Sequence, residues 1–261
     1  MNVLLAEDNQ INQRLAAAVL QRRGHRVVVV DNGRKAVEAV GREPFDAVLM
    51  DIQMPEMDGL EATAEIRRRE RLAGTARRLP IIAVTAHAMP DDRRLCLDAG
   101  MDAYVPKPIN VSQLLASIAE AVALCGRWCG EIDAAASPPD RRPPAAFGEV
   151  TALEGTAGDR DLLCEVLALV VDSWPADRKH LEAACREARL DVLARAAHNY
   201  QGAMGNIAAR EALQQAMSLE SAALENDPGA AAEALNGLCR AMDMLIPDLQ
   251  RYIRPPLDDG A

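Results

Sequence analysis

The run RVVVV at residues 26–30 sets four β-branched side chains in succession behind one arginine. An exposed strand alternates polar with apolar residues, so a run this uniform suits a sheet covered on both faces. The same kind of signal recurs on either side. NVLLA at 2–6 is a second short apolar run, and Ile11–Arg23 has helical spacing with Ile11, Leu15, Ala18 and Val19 on one side. Downstream follow a helix around Arg34–Gly41, a strand at Ala47–Met50, a helix at Leu60–Arg71 and a strand at Ile81–Val84. Pro90 with Asp91 and Asp92 opens another helix, because proline and acids favour a first turn. A short strand at Ala103–Val105 and a helix at Val111–Leu124 complete the series. Five strands alternating with five helices imply an α/β doubly wound parallel sheet with helices on both faces.

The alternation stops between Gly126 and Phe147. Pro138, Pro139, Pro143 and Pro144 among Ala, Ser and Arg make this stretch a linker, extended in part. Beyond it strand signals vanish. Leu162–Trp174, Ala176–Arg189, Asp191–Ile207, Arg210–Glu225 and Gly229–Ile253 have amphipathic helical spacing, with Pro175 and Asp227-Pro228 as punctuation. Helices of this length joined by short turns form an all-α antiparallel bundle. The expected boundaries are a first domain at 1–127, a linker at 128–147, a helical bundle at 148–254 and a tail at 255–261.

A chain of 261 residues accommodates two such domains, and 49% hydrophobic with 26% charged residues is the mixture of a packed protein. No apolar run approaches the ~20 residues of a membrane-spanning helix, and the N-terminus lacks a signal-peptide pattern, so the expected location is cytoplasmic. The six Cys lack CxxC spacing and are expected to be reduced. Residues 1–130 carry 17 basic and 17 acidic residues, while residues 131–261 carry 12 and 22, the whole of the net −10. An acidic second half repels phosphate backbones, which excludes nucleic acid as its expected partner.

Ligands of an open parallel sheet gather beyond the carboxyl ends of its strands. There stand Glu7 and Asp8 after the first strand, Asp51 after the third, Thr85 after the fourth and Lys107 after the fifth. Three carboxylates so placed repel one another without a cation, and a hard divalent ion, usually Mg²⁺, relieves this. Lys107 supplies a point positive charge and Thr85 a hydroxyl for the oxygens of a phosphoryl group. Lys107 is one of only three Lys among 29 basic residues, in a chain that otherwise uses Arg. A dinucleotide site would need glycines where Glu7, Asp8 and Asn9 stand, no P-loop is present, and Glu7-Asp8 does not fit the DxD of haloacid-dehalogenase phosphatases. Asp58 is expected to be a helix N-cap, and the Arg-rich stretch Arg67–Arg78 a solvated face and loop.

LLAEDN (4–9), LMDIQMPEMDG (49–59), VTAHA (84–88) and YVPKP (104–108) resemble the response-regulator receiver domain over residues 1 to about 127. The resemblance implies a flavodoxin-like strand order of 2-1-3-4-5. It implies that Asp51 accepts a phosphoryl group and that Glu7, Asp8, Asp51 and the backbone carbonyl of Gln53 hold Mg²⁺. Lys107 would pair with phosphoryl oxygens, Thr85 would swing toward them, and Tyr104 would turn inward with it. Pro108 would follow a cis bond, and His87 would tune the lifetime of the phosphoryl group.

In the second half, His198 lies on a helix whose core stripe is Leu193, Ala197, Tyr200, Met204 and Ile207. His198 falls off that stripe, beside Gln201, Gly202 and Gly205. Each glycine inside a helix costs about 1 kcal/mol against Ala, so close approach of a partner protein to an exposed imidazole is the expected reason. His25 and His180 are expected at the surface. AAHNYQGAMGNI (196–207) resembles the phosphoryl-accepting helix of histidine phosphotransfer (HPt) domains, and residues 148–254 suit an HPt-like four-helix bundle. The resemblance makes His198 a phosphoryl carrier. Where that family commonly has Lys three residues on, this chain has Gln201, which can donate a hydrogen bond to a phosphoryl oxygen but no charge-assisted contact.

The order of the two modules resembles the C-terminal tail of a hybrid sensor histidine kinase. The expected function is two-component phosphorelay: a histidine kinase or other phosphohistidine donor loads Asp51, and His198 relays to or from a downstream response-regulator receiver. The alternative is a phosphorylation-controlled binding switch in which the bundle is a docking arm or phosphate sink. No N-box or G-box glycine motif for ATP is present, so the chain is expected to be a stand-alone relay or a piece of a longer protein.

Overall fold

The computed structural model describes residues 1–74, 78–85, 90–125, 147–156 and 158–254. The chain divides into two compact units, Met1–Pro139 and Asp140–Ala261. The expected linker, apart from Phe147, and the tail at 255–261 lie outside the described residues, as do His87 and Cys129.

The first unit runs β1 (Asn2–Ala6), α1 (Gln10–Arg22), β2 (Arg26–Val30), α2 (Gly33–Arg42), β3 (Ala47–Asp51), α3 (Gly59–Leu72), β4 (Ile81–Thr85), α4 (Pro90–Ala99), β5 (Ala103–Pro106) and α5 (Val111–Leu124). All pairings are parallel and the order is β2-β1-β3-β4-β5, as the resemblance implied. β3 and β4 are buried throughout. Every second residue of the central strands faces one core: Leu4 and Ala6, Val48 and Met50, Ile81 and Ala83, with Phe45, Ile66 and Met101 beside them. That register places Ala6, Met50 and Val30 level with one another, so the segments leaving β1 and β3 emerge side by side.

The run that signalled this sheet is its least buried strand. β2 lies at the edge, its other valines are only half-buried, and Val29 is 39% exposed. Its β-branched residues therefore reflect strand propensity rather than cover on both faces. Side-chain caps start the helices: Asn9 accepts from the backbone N–H of Ile11 and Asn12, and Asn32 from that of Lys35. Asp58 forms a full capping box with Glu61, as its position suggested.

Arg67 departs from expectation. Its guanidinium is buried and donates to the Gly100 carbonyl (2.8 Å), Glu70 (2.7 Å) and Asp102 (2.7 Å), tying α3 to the segment that enters β5. Arg78 joins the same network through Asp102 (2.8 Å). The Arg-rich stretch is thus partly an internal ion network. Long stems let guanidinium groups reach carboxylates that the sequence places far away.

The second unit comprises α6 (Glu149–Gly155), α7 (Arg160–Arg186), α8 (Leu190–Asn206), α9 (Arg210–Leu224) and α10 (Pro228–Ile253). α7 packs on α8, α8 on α9, α9 on α10 and α10 back on α7, which closes a four-helix bundle. Ala188, Ala208 and Asn226 adopt positive φ just after α7, α8 and α9, so three short turns of one kind reverse the chain. Pro175 does not divide α7, which is continuous over 27 residues. The neighbouring Trp174 is buried edge-on to Tyr200 (ring centroids 5.8 Å apart), packing that offsets part of the ~3 kcal/mol cost of an internal proline. Phe147 is buried against Tyr252, ring centroids 5.4 Å apart, and so belongs to the bundle's packing. The described cysteines, Cys96, Cys125, Cys164, Cys185 and Cys239, are all free thiols.

Candidate functional site

At the carboxyl edge of the sheet, β1 delivers Glu7 and Asp8 and β3 delivers Asp51. One carboxylate oxygen from each lies within 4.8 Å of the others. Lys107, just past β5, sets its ammonium 2.5 Å from Asp51 Oδ2 and 2.9 Å from Glu7 Oε2, with all three groups buried. The Lys107–Pro108 bond is cis. The Lys107 backbone N–H donates to the Thr85 carbonyl (2.6 Å), which ties the lysine's loop to the end of β4. Thr85 is buried there, Tyr104 is half-buried on β5 against the core, and the Gln53 N–H faces Asp51 Oδ1 at 3.4 Å.

The electrostatics follow from burial. Desolvation pushes the Glu7 carboxyl up to about 7; the charge of Asp51 adds to the rise and Lys107 opposes it. Burial alone would lower the Lys107 ammonium, but Asp51 and Glu7 outweigh it and hold the group above its ordinary value. Lys107 thus meets two of the three clustered acids, and the cluster suits an additional cation. Every donor is a hard oxygen, the chemistry that suits a small divalent ion.

Two neighbours missed by sequence reasoning shape this site. Asn12, fully buried on α1, donates to Glu7 Oε1 (2.9 Å) and fixes that carboxylate. Gly59 begins α3 against the Asp51 backbone, where an added Cβ would lie 2.1 Å from the Asp51 carbonyl oxygen. An asparagine four residues after the acidic pair and a glycine after Asp58 were the available signals.

The second cluster overturns an expectation. His198 is not exposed: its side chain is 3% accessible, and Gln201, Gly202 and Gly205 are buried with it on α8. α9 packs on α8, and its contact with this face runs through His198 and Gln201. Glu220 of α9, also buried, accepts at Oε1 from His198 Nδ1 (3.0 Å) and at Oε2 from Gln201 Nε2. The Gln201 amide thus spends one of its two N–H donors on this carboxylate. Glu220 had one signal in the sequence, an acid bordering the apolar stripe Ala212, Ala216, Leu219 and Ala223. His180, by contrast, is exposed as expected.

Residues 3–119 match the response regulator receiver domain family, and residues 165–251 match the Hpt domain family. The chain is a receiver domain followed by an Hpt domain. Its relatives include the sensor histidine kinase GacS of Pseudomonas protegens, 38% identical over 202 residues that make up 77% of this chain and 22% of that protein. The sensor protein GacS of Pseudomonas syringae pv. syringae is 36% identical, over 92% of this chain and 26% of its own length. The chain thus spans about a quarter of the length of these relatives and resembles the C-terminal tail of such a hybrid kinase. Among solved structures, the receiver domain of a sensor histidine kinase from Pseudomonas aeruginosa PAO1, crystallised with magnesium in its cleft, is 42% identical. It covers 47% of this chain and 97% of its own, with a TM-score of 0.43. The receiver and Hpt modules place the chain among two-component phosphorelay proteins. No helix among the described residues is long and apolar enough to cross a membrane.

Proposed function

We propose that this chain passes a phosphoryl group through Asp51 of the receiver and His198 of the Hpt domain. The observation that carries the reading is the contact of Lys107 with both Asp51 and Glu7 inside a three-carboxylate cluster. An Asp51 carboxylate oxygen attacks the phosphorus of a donor's phosphohistidine. The new P–O bond forms as the N–P bond breaks, and its electron pair returns to the donor imidazole. Lys107, already beside Asp51, offsets charge on the phosphoryl oxygens, and the Thr85 hydroxyl donates to one of them. Tyr104 turns inward as Thr85 moves. Glu7, Asp8, Asp51 and the Gln53 carbonyl would hold Mg²⁺, which would supply positive charge to offset the repulsion of two anions that must meet. The donor in this reading is a histidine kinase or other phosphohistidine protein, the partner of His198 is a receiver aspartate, and the setting is cytoplasmic.

Labelling the full chain with acetyl phosphate and Mg²⁺ tests the first step. A base-labile acyl phosphate is expected at Asp51 and none in Asp51→Asn; undiminished label in that variant refutes the assignment. For the second step, phosphorylated receivers are supplied to the Asp51→Asn chain, and a base-stable, acid-labile label is expected that disappears in His198→Ala.

One observation favours a second reading. With 3% of its side chain accessible, His198 is poorly placed to meet a phosphorus atom without movement of its surroundings. In that reading Asp51 phosphorylation switches a binding surface and the bundle serves as a docking arm or phosphate sink. Absence of phosphohistidine from every receiver tried selects the switch. Phosphate flow from a cognate receiver back into this chain selects the sink.

A further inference from the structure

The loop at 52–58 runs from Asp51 to the cap of α3 and carries the Gln53 carbonyl. Within it Glu56 has a φ of +66°, and the Met57 N–H donates to the Pro55 carbonyl (2.8 Å), a bond that spans a single residue. So tight a turn around a residue with a side chain is strained, and it persists only where the surroundings over-determine it. One grip is at the loop's end, where the Gly59 N–H donates to the Ile52 carbonyl (2.8 Å). The other comes from the start of α2. There the Gly33 N–H donates to the Met57 carbonyl (3.0 Å), and the buried Asn32 sets its amide nitrogen between Asp31 Oδ1 (3.2 Å) and Glu56 Oε1 (3.4 Å). We propose that Gly33 is a positioning residue for the divalent-cation site: by gripping Met57 it holds the loop in the form that presents the Gln53 carbonyl to the cation. This deepens the reading of Asp51 as a Mg²⁺-dependent phosphoryl acceptor and rests on it.

Close contact, not backbone freedom, is what requires glycine at this position. Gly33 lies outside the left-handed region that Gly24 and Gly100 occupy. A Cβ added to it would instead lie 2.5 Å from the Met57 carbonyl oxygen and 2.9 Å from both the Asp58 carbonyl oxygen and the Ala62 Cβ. Two of these atoms are backbone and the third is the stub of a short, fully buried side chain, so none can swing aside. A methyl group there has to displace the loop or the helix. The helix start is held by its own cap, for Asn32 Oδ1 accepts from the Lys35 N–H (2.8 Å). The N–H that Gly33 gives to Met57 belongs to the first turn of α2, where no helical carbonyl can take it, so the grip removes no bond from the helix. Gly33 carries no charge and meets none of the three acids. Its influence passes through Met57 along the loop to Gln53, which alters the hold on a cation while leaving Asp51 and Lys107 as they are.

The test titrates Mg²⁺ into the full chain, reads the amide shifts of Gln53 and Met57 by NMR, and follows acetyl phosphate labelling of Asp51 at each Mg²⁺ concentration. Gly33→Ala should weaken Mg²⁺ binding by about 10- to 100-fold, the range for removing a group that orients a metal ligand, and leave labelling at saturating Mg²⁺ within about twofold of the parent. General damage to the domain would lower the saturated rate as well. Gly41→Ala makes the same change later in α2, where a Cβ meets only the end of the Arg69 side chain at 3.7 Å, and should keep the parent's affinity. Asn32→Ser retains a capping oxygen but gives up the amide near Glu56, so it should fold and bind Mg²⁺ about two- to fivefold more weakly. Parent affinity in Gly33→Ala overturns the proposal, as does an equal loss in Gly41→Ala or a lowered saturated rate with unchanged Mg²⁺ dependence. If Gly33→Ala does not fold, Asn32→Ser decides, and parent affinity in it overturns the proposal. A parent without any Mg²⁺-dependent shift overturns the cation reading itself. The grip is then still tested without metal: the amide at position 33 should exchange slowly in the parent and quickly in Gly33→Ala, and equal exchange overturns it.

Discussion

Arg67 and Arg68 are adjacent arginines with opposite surroundings, and replacing each with alanine separates internal from surface charge. The Arg67 side chain is 5% exposed and that of Arg68 56%. Arg67→Ala removes hydrogen bonds to the Gly100 carbonyl, Glu70 and Asp102. Three bonds to a charged group would be worth about 1.5–3 kcal/mol each if their partners were left bare. They are not bare. Gly100 O keeps Arg78 (2.7 Å), Asp102 keeps Arg78 and the Ile81 N–H (2.8 Å each), and Glu70 keeps the Leu79 N–H (2.7 Å). The loss therefore falls toward the lower end of the ~3–5 kcal/mol range for breaking a buried ion pair, about 3 kcal/mol. Native-state hydrogen exchange of peptides covering Ile81–Thr85 reads this locally, and 3 kcal/mol corresponds to exchange about a hundredfold faster. Arg68→Ala should leave those peptides unchanged, because among the described residues the exposed Arg68 pairs with Glu65, which keeps Arg69. Equal protection of β4 in the two variants would refute the assignment of Arg67 to an internal network.

Three further outcomes are expected. Gly59→Ala places a methyl group 2.1 Å from the Asp51 carbonyl oxygen, so the receiver should lose about 1–3 kcal/mol in denaturant unfolding together with its acetyl phosphate labelling. Unchanged stability and labelling would show that the loop yields freely. Lys107→Ala takes the ammonium away from Asp51 and Glu7, so Asp51 should label more slowly and the conformational response, read by NMR shifts at Thr85 and Tyr104, should be lost; a parent-like response contradicts its role. Chelating divalent ions with EDTA should abolish labelling of Asp51, and excess Mg²⁺ should restore it; labelling that persists in the chelator rules out a required cation.

Much of the receiver was legible because its signals are local. Period-two and period-3.6 patterns locate strands and helices, and the chemistry sits at strand ends that alternation fixes. Glu7, Asp8, Asp51 and Lys107 could thus be singled out before any packing was known, and they do converge. The Asp58 cap was legible for the same reason, since a capping box spans only four residues. Features set by distant partners were not. His198 looked exposed because its own helix offers a separate core stripe, yet Glu220 and α9 cover it from 22 residues away in sequence.

By itself, then, the sequence determined the kinds of elements, their order and the clustering of acids on one sheet edge, because these follow from side-chain periodicity along a single chain. Only the tertiary structure decided which faces meet. It left β2 at the sheet edge with Val29 exposed, drew Arg67 inside, carried α7 through Pro175, and set Gln201 against the Glu220 carboxylate. Burial is a property of what packs on a surface, and no periodicity along one helix specifies the helix that will cover it.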